Sequence, residues 1–119
     1  MPDARIVIYQ KPTCTTCRQV YNALKDAGAD FDAVNYFVDP IPGTTLRRLL
    51  KKMEMRPRDL LRTKEETYRK LGLGSGTHSD EELIELMVAH PELIQRPIVE
   101  KGDKAILARP AERLTEILV

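Results

Sequence analysis

Cys14 and Cys17 are the two cysteines of a 119-residue chain, three positions apart in Pro12-Thr13-Cys14-Thr15-Thr16-Cys17-Arg18. A short apolar run, Ile6-Val7-Ile8-Tyr9, precedes them and reads as a buried strand. A helical pattern follows, with Val20, Ala23, Leu24 and Ala27 on one side and Gly28 as its left-handed stop. The pair therefore falls where a strand hands over to a helix, with Cys14 at the first helical positions and Cys17 in the first turn. Unpaired backbone N–H groups and the helix dipole favour negative charge there. A thiol in that place loses its proton more easily, and the thiolate is the nucleophile.

Three chemistries compete for these sulfurs. Two inert, buried thiols are the plainest, and the place at a helix start argues against that. A zinc site needs four ligands, and the only histidines, His78 and His90, lie far along the chain without ligand-like spacing, so no metal is expected. A redox or nucleophilic pair fits best, because Cys-x-x-Cys beside a β-α-β pattern is a redox signature. A phosphatase-type anion loop is excluded, since it needs an arginine six residues after the cysteine and position 20 is Val20. Three arginines are candidates for an oxyanion site: Arg62 closes Leu60-Leu61-Arg62, and Arg96 and Arg109 each precede a proline, which keeps them extended. Guanidinium groups bind tetrahedral oxyanions through paired hydrogen bonds. Taken singly, each is an ordinary surface arginine, and spacing does not show that they converge.

The elements that must position these residues can be read in order. Strands are expected at 5–9 and 31–36, with a helix over 15–27 between them. Asp39-Pro40-Ile41-Pro42-Gly43 is a hard break. Leu46, Leu49, Leu50 and Met53 then repeat at helical spacing, for a helix over 45–54. Short helices are expected at Arg58 to Leu61 and Glu65 to Leu71. Gly72-Leu73-Gly74-Ser75-Gly76 lacks the Lys-Ser/Thr of a P-loop and reads as a flexible linker. Ser79 and Glu82 have capping-box spacing, opening a helix with Leu83, Leu86, Met87 and His90 that Pro91 halts. Ile98-Val99-Glu100 and Ala105-Ile106-Leu107 form a hairpin about Gly102-Asp103. Pro110 starts a last helix with Leu114, Ile117 and Leu118 inward. The order β-α-β, helical block, β-β-α is an α/β thioredoxin-like layout with a mixed four-stranded sheet. It predicts one domain over 1–119 with a helical insertion at about 44–90. In that layout a proline heading the third strand faces the cysteine turn. Pro97 holds that structural position, so a cis Arg96–Pro97 bond is predicted.

Composition sets the class. Hydrophobic residues make up 42% and charged residues 31%, with no tryptophan, so aliphatic side chains must build the core. No apolar stretch is long enough to span a membrane, and no apolar leader precedes the first strand. A cytoplasmic protein without membrane association is the expectation, and two close cysteines in that compartment read as reactive. Net charge is +1, but 44–64 carries eight basic and two acidic residues, +6 against −5 elsewhere. An anionic ligand or acidic partner follows, unless most of these charges simply solvate a helix face.

The chain resembles the arsenate reductase (ArsC) family of the glutaredoxin-linked type, which also includes the Spx transcriptional regulators. The resemblance covers nearly the whole chain. It is carried by Pro12-Thr13-Cys14, by Leu60-Leu61-Arg62-Thr63-Lys64 with Tyr68 and Leu71-Gly72-Leu73, by His90-Pro91-Glu92-Leu93-Ile94-Gln95-Arg96-Pro97-Ile98-Val99, and by Arg109-Pro110. It implies that Cys14 attacks arsenate, that Arg62, Arg96 and Arg109 hold the oxyanion, and that no cofactor is bound. Glutathione with glutaredoxin, or thioredoxin, would be the reductant, with Cys17 available as an internal resolving thiol. Two positions depart from the reductase pattern: Gln10 stands where a histidine is frequent, and Cys17 where a cysteine is unusual. Spx-like regulators do carry a Cys-x-x-Cys switch and bind the RNA polymerase alpha subunit. That reading, without direct DNA binding, is the alternative to the reductase reading adopted here.

Overall fold

The computed structural model describes residues 5–118. The chain divides into two compact units: one takes the chain up to Asp39 and again from Arg96 onward, and the other is Pro40–Gln95.

In the first unit, β1 (Ile6–Gln10) leads into helix α1 (Thr15–Asp26) and returns as β2 (Phe31–Asn35). After the excursion through the second unit come β3 (Ile98–Lys101) and β4 (Lys104–Leu107). The sheet order is β2-β1-β3-β4, with β1 parallel to β2, antiparallel to β3, and β3 antiparallel to β4. This is the expected mixed sheet. The β3–β4 turn has Gly102 at φ 61° as its first central residue, the conformation a two-residue hairpin with glycine there requires. The core gathers Ile6, Ile8 and Val99 from the sheet with Val20 and Leu24 from α1, and Ala108, Leu114 and Ile117 from the end of the chain. Helix α1 stops as the sequence indicates: Gly28 is left-handed at φ 69°, its N–H donates to Lys25 O, and the Ala29 N–H donates to Leu24 O. The last helix differs from expectation. Pro110 precedes a 3₁₀ turn over Ala111–Leu114, and only Thr115–Leu118 is α-helical.

The second unit is helical: α2 (Gly43–Met53), α3 (Pro57–Leu60), α4 (Glu66–Lys70) and α5 (Asp80–Ala89), with 3₁₀ turns at Leu73–Ser75 and Pro91–Leu93. Leu46, Leu49 and Leu50 of α2 are buried, and α2 and α3 both pack on α5. Ser79 caps α5 as expected. Its hydroxyl accepts from the Glu82 N–H at 3.2 Å, and the Glu82 carboxylate accepts from the Ser79 N–H at 2.8 Å. Two expectations change here. The inward residues of α5 are Leu83, Ile84 and Met87, with Leu86 only half-buried. The glycine-rich stretch is not a loose linker, because Leu73 is fully buried and its carbonyl accepts from Arg58 Nη1 at 2.9 Å. One apolar side chain with a core to enter outweighs the freedom of three glycines.

Candidate functional site

The site begins at the turn between β1 and α1. The Cys14 N–H donates to Lys11 O at 2.9 Å, and the Arg18 N–H donates to Cys14 O at 3.0 Å, which opens the helix. Cys14 is therefore the N-cap of α1, one position before the helical residues, with extended backbone at φ −79°, ψ 128°. Its sulfur acts as a cap acceptor: the Cys17 N–H points to Cys14 Sγ at 3.5 Å. Cys14 is partly exposed and Cys17 is fully buried.

The two thiols are pushed in opposite directions. Burial works against ionising Cys14, but the Cys17 N–H, the Cys17 thiol and the Arg96 charge together outweigh it and leave Cys14 more acidic than a free thiol. At Cys17 burial dominates, and with the neighbouring Cys14 sulfur it pushes the thiol up to about 12. Cys14 is thus the more acidic of the two thiols, and Cys17 stays protonated at neutral pH.

Arg96 is the cation beside this sulfur. It is 8% exposed, and its Nε and Nη1 are buried without a hydrogen-bond partner. Its guanidinium carbon lies 5.5 Å from the centroid of the Phe37 ring, and Lys11 Nζ lies 4.8 Å from the same centroid. The Arg96 carbonyl accepts from Arg109 Nη1 at 3.1 Å, so Arg109 is tied to the same segment. The Arg96–Pro97 bond is cis, as the sequence predicts, and so is Arg109–Pro110, which it did not. Pro97 leads into β3, and its carbonyl accepts from the Ala108 N–H at 2.9 Å. Gln10, buried at the end of β1, lines a cleft of about 530 Å³ with Pro12, Arg18, Tyr21, Asn22, Ala33 and Asn35.

The first unit therefore brings together Cys14, Cys17 and Arg96, with Arg109 bonded to the Arg96 carbonyl. Arg62 belongs to the second unit, where its N–H donates to Leu93 O at 2.7 Å and its Nε lies 3.5 Å from a Glu65 carboxylate oxygen. Both histidines lie in that unit too. Among the described residues no group of three or more His, Cys, Asp or Glu is placed to hold a metal ion, and no helix is long and apolar enough to cross a membrane. Lys11 and Phe37 were not singled out by sequence. A phenylalanine just past a strand carries no spacing signal, and its partners come from remote segments.

Residues 9–117 match the profile of the ArsC family. The chain belongs to the ArsC family. The arsenate reductase of Yersinia enterocolitica is 39% identical over 115 residues, covering 97% of this chain and 82% of the relative. The uncharacterized protein YfgD of Escherichia coli K12 is 40% identical over 115 residues, covering 96% and 97%. Among solved structures, an arsenate reductase from Vibrio cholerae superposes with a TM-score of 0.93 at 33% identity, covering 98% of this chain and 99% of its own. This ArsC chain thus has the thioredoxin-like arrangement of its structural relatives, and its cysteine turn and Arg96 both fall within the matched span.

Proposed function

We propose that this ArsC-family protein is a thiol-dependent oxidoreductase that reduces arsenate to arsenite, with Cys14 as the nucleophile. The observation that carries the reading is the pairing of an acidic Cys14 sulfur with a buried Arg96 that has two nitrogens unpartnered. A buried guanidinium with vacant donors is costly unless an anion completes it. Arsenate supplies the oxygens, and Cys14 supplies the attacking electron pair.

The Cys14 thiolate attacks arsenic(V), a sulfur–arsenic bond forms, and one oxygen leaves as water. Arg96, with Arg109 and Arg62 as the further proposed ligands, neutralises charge on the oxygens as that bond forms. A second thiolate then attacks the Cys14 sulfur. The sulfur–arsenic electron pair passes to arsenic, which leaves as arsenite, and two thiols end as one disulfide. Cys17 is suited to that second step. Part of what holds it protonated is the hydrogen bond and charge of the Cys14 sulfur, and both weaken once that sulfur is covalently bound. The Cys14–Cys17 disulfide would then be cleared by thioredoxin or by glutathione with glutaredoxin. No step requires a bound cofactor.

The test is turnover of arsenate by the purified protein with each reducing system. Cys14→Ser is expected to abolish it. Cys17→Ser is expected to keep the glutathione–glutaredoxin route and lose the thioredoxin route. Absence of turnover with both systems sinks the enzyme reading. The regulator alternative rests on the cysteine pair alone, and capture of the RNA polymerase alpha subunit by the oxidised protein is its test.

A further inference from the structure

We propose that Phe37 is a positioning residue of this site, an aromatic platform that holds two cations, Arg96 and Lys11, ready for an oxyanion. The starting point is what Arg96 lacks. Its side chain is buried, two of its nitrogens have no hydrogen-bond partner, and the anionic neighbour it does have is the Cys14 sulfur, not a carboxylate. Something other than a carboxylate must fix its orientation. A carboxylate would hold it more firmly, but would also cancel the charge that a substrate anion needs.

An aromatic face attracts a cation without neutralising it. The Phe37 ring does this for two cations at once, Arg96 at 5.5 Å and Lys11 at 4.8 Å from its centroid. The ring is itself anchored. The Phe37 N–H donates to the Asn35 side-chain oxygen at 3.1 Å, and its ring packs against buried Tyr36 at 5.1 Å. Two like charges gathered over one ring repel each other, and an anion with several oxygens relieves that repulsion. Lys11 is also bonded into the cysteine turn through its carbonyl, so the platform links both cations to the segment that carries Cys14. The nature of the anion rests on the arsenate reading above; the positioning rests on the geometry of Phe37.

The test compares wild type with Phe37→Leu and Phe37→Trp in two assays. One is the pH profile of iodoacetamide alkylation at Cys14, read by mass spectrometry without arsenate. The other is the KM and kcat for arsenate. Phe37→Leu is expected to move the alkylation midpoint to higher pH and raise KM, each effect corresponding to roughly a two- to thirtyfold change. Phe37→Trp, which keeps the aromatic face, is expected to stay near wild type. A Phe37→Leu protein with the wild-type alkylation profile overturns the proposal, even if arsenate turnover is robust. If wild type does not turn over arsenate, the function proposed above fails while the alkylation profile still decides the role of Phe37. Should Phe37→Leu not fold, proton NMR of the wild type decides. Upfield ring-current shifts at the Arg96 Nε–H and the Lys11 ε-methylene are expected, and unshifted resonances at both overturn it.

Discussion

At Cys14 and Cys17 the same turn of chain produces one acidic and one reluctant thiol. The difference is solvation: Cys14 keeps access to water and a cation, while Cys17, in the first turn of α1, is buried. Reading the spacing places both cysteines at the helix start, but it does not say which sulfur faces Arg96. The reluctance of Cys17 has a thermodynamic consequence with a definite sign. In the unfolded chain its proton leaves near pH 9, and in the folded chain it is held to about 12. The folded state therefore binds more protons in that window, and stability falls as pH rises through it, by up to about 1.4 kcal/mol per pH unit. Cys17→Ala removes that contribution. Urea unfolding over a pH series above 9 is expected to show a shallower decline for Cys17→Ala than for wild type.

Among the elements, the helix ends were the most legible features. Ser79 and Glu82 close the α5 capping box as their spacing announces, because that motif needs only residues within one turn. Ser79→Ala is expected to cost about 1 kcal/mol in chemical denaturation. The end of α2 falls within one residue of the expected position, but the residue that stops it gave no signal. Glu54 adopts a left-handed conformation at φ 56°, where its N–H donates to Lys51 O and the Met55 N–H donates to Leu50 O. Glycine is the ordinary residue there, and glutamate is held left-handed by this pair of hydrogen bonds. Glu54→Gly is expected to stabilise the protein by ~0.5–1 kcal/mol in the same assay. The 3₁₀ turn at Leu73–Ser75 was missed for a related reason, since a glycine-rich composition masked a side chain with a buried destination.

On the scale of the whole molecule, an oxyanion that binds only the folded protein must stabilise it by mass action. Arsenate at a hundredfold excess over its dissociation constant contributes about 2.7 kcal/mol, which raises Tm by on the order of 10 °C for a chain of this size. Arg96→Met is expected to lose most of that shift, as read by differential scanning fluorimetry. By itself the sequence determined the element order, the mixed sheet and the family, because apolar periodicity, caps and turn residues act over a few neighbouring positions. The same short-range signals placed Cys14 at a helix start and a proline ahead of β3. Only the tertiary structure decided that Arg96 is buried with open donors, that Arg109 is tied to its carbonyl, and that Lys11 and Phe37 belong beside it. Those contacts join segments far apart in the chain. Their energies depend on burial and direction, which no local spacing encodes.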